Sequence, residues 1–331
     1  MSVSVIATVP VGTSPFKIAV NSATNRIYVA NQISNTVSVI DGATRTVIAT
    51  VPVGGNPNWV VLNPATNQIY VTNLQTSTVT VIDGATSSIV TTVTTESGPF
   101  AIAVNPTTNR IYVANVVGNV TVIDGATNFS TTVPVGPGPK AIVVNPVTNR
   151  IYVANSGGNT VTAIDGATHF TATVTVGSAP VSLAVNRVTN RIYVANQHSN
   201  DVTVIDGASN NTKTVNVGSF PVDVAINSLT NKVYVPNRNG TSGVTVIAGA
   251  DLSTKFARFG GMLFEVALDE VTNQIYITNG EGVLDFLDGT SLLSLAISVG
   301  NLPVGIAVDS KRKMIYVANH SDNTVSVILE S

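Results

Sequence analysis

Asp223 and Glu265 occupy the same place in two consecutive copies of a repeated segment, and Lys17 holds that place in another copy. Two carboxylates brought together can hold a divalent cation or work as a general base, and a nearby lysine can steady a developing anion. The place is the second residue after the proline that opens the first strand of each copy. Its occupants, in order, are Lys17, Trp59, Ala101, Ala141, Ser182, Asp223, Glu265 and Gly305. Neighbouring loops add Glu96, Lys140, His198, Arg238, Glu281 and His320. These charged residues and Trp59, the only tryptophan, are the candidate ligand-binding set; Asp223 and Glu265 are the candidate metal ligands. The opposing expectation is that rim positions are solvated and vary freely.

Other chemistries find little support. A Ser-His-Asp arrangement needs a positioned base, and the only histidines are His169, His198 and His320. His169 falls near a hairpin turn, and the other two fall in loops of copies far apart in sequence. No G-x-S-x-G, H-E-x-x-H or phosphate-binding glycine loop occurs. With no cysteine, thiolate nucleophiles, thiolate zinc sites and disulfides are excluded. No resident cofactor is expected beyond a divalent cation at the two carboxylates.

Sixteen basic and eighteen acidic side chains give a net charge of -2, so no basic field exists to attract nucleic acid. Mean hydropathy is +0.33 and only 10% of residues are charged. The surface must therefore be covered by Thr, Ser, Asn and backbone. Apolar runs alternate with polar residues or stay short of a span, so no membrane insertion is expected. Met1–Ile6 lacks a basic n-region and a continuous apolar core, so no signal peptide is expected within the chain. A cysteine-free sequence fits an extracellular, periplasmic or cell-surface setting. A monomer is expected.

The elements that must position these residues follow from the tyrosines. All eight recur at spacings of 42, 42, 40, 41, 41, 42 and 40 residues, from Tyr28 to Tyr316. Each copy of about 41 residues reads as four strands. Phe16–Val20 alternates and gives strand A; Arg26–Ala30 gives B; Thr36–Ile40 gives C; Thr46–Val53 gives D. The A–B turn, Asn21–Asn25, uses its second Asn for left-handed backbone. The C–D turn, Asp41–Thr44, is read as a tight Asp-Gly hairpin. Asparagines ending strand B, such as Asn31 and Asn73, are read as Asx-turns to their own loops, and the tyrosines as packing residues with a hydroxyl partner.

A four-stranded meander with two apolar faces cannot bury both alone, and stacking the copies in a ring solves this. A small residue recurs in strand A (Ala19, Ala103, Ala184, Ala225, Ala267, Ala307), as a crowded inner edge requires. The last copy ends after strand C, and residues 1–12 carry a strand-D pattern. The expectation is one all-β domain over residues 1–331: an eight-bladed β-propeller of four-stranded antiparallel blades, closed by the N-terminal strand joining the last blade. The rival is an open solenoid, which would need polar caps. A–B and C–D turns share one face and barely vary; B–C loops and D–A crossovers share the other and vary widely.

The segments Ile-Tyr-Val-Ala-Asn (from Ile27, Ile111, Ile151, Ile192 and Ile315), Val-Ile-Asp-Gly-Ala-Thr and Thr-Val-Pro-Val-Gly resemble the YVTN-type β-propeller repeat over essentially the full chain. The resemblance implies a propeller, an exported or cell-surface setting, and a ligand- or protein-binding or scaffold role, with a protein, small-molecule or glycan partner at the variable face. It transfers no catalytic residue. The seventh copy departs most, at Gly261–Leu263 and Asn279–Gly282, and the sixth has Ala248-Gly249 for Asp-Gly. The single Trp speaks against a quinoprotein-like propeller, and a haem site resembling the cytochrome d1 type would need His198 or His320. The alternative function is a lactonase, hydrolase or lyase resembling propeller enzymes of related repeat type. It would use Asp223, Glu265, Glu96 and Lys17 at the channel mouth, with or without a metal.

Overall fold

The computed structural model describes residues 3–240 and 242–330. The described residues form thirty-two strands in eight four-stranded antiparallel sheets. Blade 1 consists of Pro15–Asn21 (A), Arg26–Asn31 (B), Thr36–Asp41 (C) and Thr46–Pro52 (D), and the later copies repeat this order. Blade 8 takes its D strand from the other end of the chain. Val3–Pro10 pairs antiparallel with Thr324–Glu330, from Val3 opposite Glu330 to Pro10 opposite Thr324. The protein is an eight-bladed all-β propeller, closed as the sequence predicts.

The core lies between blades. Each of eight apolar clusters spans one junction; Tyr28, Val37 and Val39 of blade 1, for example, pack on Val60, Ile69 and Val71 of blade 2. The closing junction is built the same way, with Val9 of the N-terminal strand packed among Ile18, Ile27, Tyr316 and Val325. The recurrent strand-A alanines sit half-buried against these clusters. All eight tyrosines are fully buried. Five hydroxyls donate to a partner (Tyr28, Tyr70, Tyr152, Tyr234, Tyr276). Those of Tyr112, Tyr193 and Tyr316 have none among the described residues.

Polar links tie the blades on the face of the A–B turns. The first Asn of one turn donates to the last Asn of the next, as in Asn21 to Asn67 (2.7 Å) and Asn145 to Asn190 (2.9 Å). Six junctions repeat this bond. At the closing junction Asp309 replaces the Asn, and Arg312 bonds both Asp309 (2.9 Å) and the Ser22 carbonyl (2.7 Å). Strand-B cations add a second tie: Arg150 donates to the Gly207 carbonyl (3.0 Å) and Lys232 to that of Gly289 (2.6 Å).

Two local expectations need correction. The left-handed residue of the C–D turn is Arg45 (φ 58°), not Gly42. The Asp41 carboxylate shapes this turn by accepting the Ala43 and Thr44 N–H groups. Gly42 lies close under the Asn25 amide, so a Cβ there would force that side chain to shift. Apart from Asn279, whose Oδ1 accepts the Glu281 N–H (3.3 Å), the asparagines ending strand B are not Asx-turns to their own loops. They are buried, and their Nδ2 donates across to strand C: Asn31 to Ser38 (3.0 Å), Asn73 to Thr80 (2.9 Å), Asn155 to Thr162 (2.9 Å). Blade 7 departs by placing Asp285 where the other blades have Ser or Thr, and Asn279 donates to it.

Removing residues 2–11 strips strand D from blade 8. The loss of Val9 burial alone costs about 2 kcal/mol, and an unpaired edge is left at Thr324–Glu330. The melting temperature should fall by at least ~5 °C, or the protein should associate through that edge. Calorimetry and light scattering check this, and an unchanged melt with unchanged mass would refute the latch.

Turn aspartates and Asp285 act oppositely with pH. Backbone N–H groups hold Asp41, Asp83, Asp124, Asp165 and Asp206 below the usual carboxylate range, and Asp288 at about 2. Their contribution is present above the unfolded value of about 4 and is lost as pH falls through the folded values. Burial pushes Asp285 up to about 6. Its contribution is complete below about pH 4 and is lost as pH rises through 6. Thermal melts should therefore show stability rising slightly from pH 7 to 5 and falling below about pH 4. Asp285→Thr, the residue type of the other blades, should raise the melting temperature at pH 7 and reduce the rise, leaving the part due to Glu265, whose pKa burial also raises.

Candidate functional site

Strand A runs innermost, and its first residues make the mouth on the face of the D–A crossovers. In most blades the A–B pairing shifts register immediately after the opening proline: Pro57 opposes Asn73 and Trp59 opposes Thr72, leaving Asn58 as the extra residue. The same shift follows Pro99, Pro139, Pro180 and Pro303. In a regular strand two consecutive side chains face opposite ways. A bulge re-aims one of them, so both members of a pair line the mouth. Phe16 with Lys17, Lys140 with Ala141, Val181 with Ser182, Val222 with Asp223, and Phe264 with Glu265 all do so. The sequence reading found the second member of each pair and, Lys140 apart, missed the first. The bulge that doubles the lining is a feature of pairing, which period and propensity do not show.

These residues enclose a funnel of about 380 Å³. Lys17, Trp59, Lys140, Asp223, Arg238 and Glu265 all line it, together with Gln197 from a B–C loop. Glu96, Glu281, His198 and His320 are not part of its lining. Glu96 and Glu281 are exposed. The His198 ring lies 6.2 Å from that of Phe220, and His320 Nδ1 lies 3.3 Å from the Pro15 carbonyl. Lines of sight across a ring depend on how far each loop projects, which sequence spacing does not give.

Two carboxylates are locked in place. Glu265 Oε1 meets Lys17 Nζ at 2.6 Å, and both side chains are largely shielded. The pair spans blades 7 and 1 across blade 8, where Gly305 presents no side chain; a Cβ there would collide with the Phe16 carbonyl oxygen. Glu265 Oε2 accepts the Ile306 N–H at 3.3 Å. Asp223 Oδ1 accepts the Ser182 hydroxyl at 2.7 Å, and Oδ2 accepts the Val266 N–H at 3.0 Å. Strand A of blade 6 shortens to Ala225–Asn227 beside this bridge. Burial raises the Glu265 pKa; the Lys17 charge opposes the rise, and Asp223 adds to it.

Three cations lie over aromatic rings. Lys17 Nζ is 4.4 Å from the Trp59 ring, Lys140 Nζ 4.9 Å from Phe100, and the Arg238 guanidinium 4.4 Å from Phe264. Such contacts fix a cation without neutralising it. All four oxygens of Asp223 and Glu265 already accept a protein donor, so a cation bound there would have to displace Lys17 or a backbone N–H. Among the described residues no group of three or more His, Asp or Glu side chains is placed to hold a metal ion.

On the opposite side the channel widens to a cavity of about 770 Å³ along strand A of blades 1 and 2, lined by Ala19, Val20, Val61, Leu62 and the A–B turns. Trp59 borders both cavities.

The model of one family, described as YNCE-like beta-propeller, matches residues 3–167. No curated protein matches the sequence. Among solved structures, hydrazine synthase of Kuenenia stuttgartiensis aligns with 96% of this chain and 96% of its own, at 20% identity and a TM-score of 0.67. The computationally designed Ika8 protein aligns over 97% and 99%, at 14% identity and a TM-score of 0.82. Both likenesses concern the fold alone. The model matches just under half of the 331 residues, and with eight closed four-stranded blades the chain is a β-propeller by fold.

Proposed function

We propose that this propeller is a binding module whose ligand enters the funnel on the face of the D–A crossovers and B–C loops. One observation carries the reading: six charged or aromatic residues chosen from the sequence, on blades 1, 2, 4, 6 and 7, meet around a single concavity. Concave mouths with a few convergent polar groups among apolar ones are where small ligands bind. The ligand is a small molecule, a glycan or a side chain projecting from a protein partner. The YVTN-type assignment and an extracytoplasmic setting belong to this proposal and draw on the repeat signature and the cysteine-free sequence.

A specific feature favours a second reading, a hydrolase or lyase at the same mouth. Glu265 is a shielded carboxylate with a raised pKa, and a general base gains from such tuning. Lys17 beside it would steady an anionic intermediate.

Val181→Trp fills the funnel from its lip without touching the inter-blade bonds. A thermal-shift and calorimetric screen of glycans, organic acids and short peptides should return at least one ligand of the native protein that this variant no longer binds. No ligand, or binding indifferent to the substitution, would refute the binding role. If a lactone or ester is turned over, Glu265→Gln should lower kcat by ~100-fold or more with little change in Kd. A rate untouched by that substitution would remove the enzymatic reading.

A further inference from the structure

The charges of the funnel divide into those already satisfied and those that are not. Its lining holds three cations (Lys17, Lys140, Arg238) and two carboxylates (Asp223, Glu265), a balance of 3 − 2 = +1. Three ion pairs occur among the described residues: Lys17–Glu265, Arg110–Asp124 and Arg312–Asp309. Lys140 and Arg238 belong to none of them. Arg238 is half-buried, and its Nε donates to the Leu263 carbonyl at 2.9 Å. Burial lowers its pKa, the sign of a shielded charge. A desolvated guanidinium without a carboxylate is costly, and its planar fork suits one. Lys140 stands exposed at the lip and is steadied by Phe100.

Apart from Gln197 and Ser182, whose hydroxyl is given to Asp223, the remainder of the lip is apolar, formed by Phe16, Val181, Val222, Phe264 and Val304 with Phe100. At about 380 Å³ the funnel falls near the low end of ligand pockets, which run from ~300 to 1,000 Å³. We propose that its ligand is a small organic monoanion with an apolar body, such as an aromatic or branched aliphatic carboxylate. The carboxylate meets Arg238 and Lys140, and the body fills the Phe and Val lip. The proposal rests on the reading of the funnel as a binding site and names its ligand class. A cation finds no unengaged carboxylate oxygen. A polyanion meets the fixed charges of Asp223 and Glu265. A neutral sugar finds its natural acceptors, those same carboxylates, already bonded to protein donors.

Trp59 is the only tryptophan and lines the funnel, so its fluorescence reports on binding there; it also borders the cavity on the opposite side, and the Arg238 and Lys140 substitutions below assign a response to the funnel. The full chain is titrated with phenylacetate, acetate, benzyl alcohol, benzylamine and maltose. Phenylacetate should give a saturable change, with each of the other probes at least tenfold weaker. Arg238→Gln and Lys140→Gln should each weaken phenylacetate at least fivefold. Lys140 is exposed, so its substitution leaves the fold intact, and circular dichroism melts verify this for both variants. Phenylacetate no tighter than benzyl alcohol, or unaffected by both substitutions, overturns the anion. Saturation by maltose or benzylamine instead overturns the ligand class while leaving a binding funnel in place. Silence from every probe also counts against the anion, and the Val181→Trp screen then decides separately whether the funnel binds anything.

Discussion

Everything in this molecule depends on a sheet that is apolar on both faces. Strands B and C of every blade are buried almost throughout, and no blade can shield them alone. The solution is a ring in which each junction is a core. Eight clusters at eight junctions mean that no junction is optional, including the one between the chain's two ends. The N-terminal strand is therefore part of the core. Val9 contributes to the same cluster as Tyr316, more than three hundred residues away in sequence.

Closure of the ring and the proposed ligand site use neighbouring residues at the mouth. Ser182, Asp223 and the Val266 N–H link blades 5, 6 and 7; Glu265 links blade 7 to the Ile306 N–H of blade 8 and to Lys17 of blade 1. This belt crosses the seam where the termini meet. It also consumes the carboxylates a metal or sugar would use. Charged residues held by protein partners shape a site, and charged residues lacking such partners attract a ligand. Lys140 and Arg238, which have no carboxylate partner among the described residues, are the ones the proposed ligand would meet.

Much of the fold was legible because repetition averages out local ambiguity. A single Ile-Tyr-Val-Ala-Asn is a weak strand signal, whereas eight tyrosines at one period leave little room for another architecture. The missing D strand of the last copy and the spare one at the start made the ring legible too. What was not legible came from pairing and from contact across the ring. The register shift at the start of strand A in blades 1, 3 and 7 put Phe16, Phe100 and Phe264 into the lining unannounced. The Asn of strand B reached strand C in place of its own loop, because a buried amide finds a Thr hydroxyl there. Lys17 and Glu265 lie 248 positions apart (265 − 17), and only the lack of a side chain at Gly305 lets them meet. Among the candidates, His198, His320, Glu96 and Glu281 share the variable face, yet their loops carry them away from the funnel.

The proposed site lies where the copies depart from the repeat, and there is a physical reason for that. Eight identical blades would present an eightfold-symmetric lip, and a small asymmetric ligand would bind such a lip in eight equivalent poses. The turn face stays close to that symmetry, since its Asn–Asn bonds recur at six junctions. The mouth breaks it. Carboxylates sit on blades 6 and 7, lone cations on blades 4 and 6, and the tryptophan on blade 2. Blade 6 yields part of its strand A at that point, and blade 7 replaces the usual proline with Leu263, whose carbonyl anchors Arg238. Distortions that weaken two blades, yet place one guanidinium over one ring in a shielded funnel, are what a directional binding site would require and what packing alone would not.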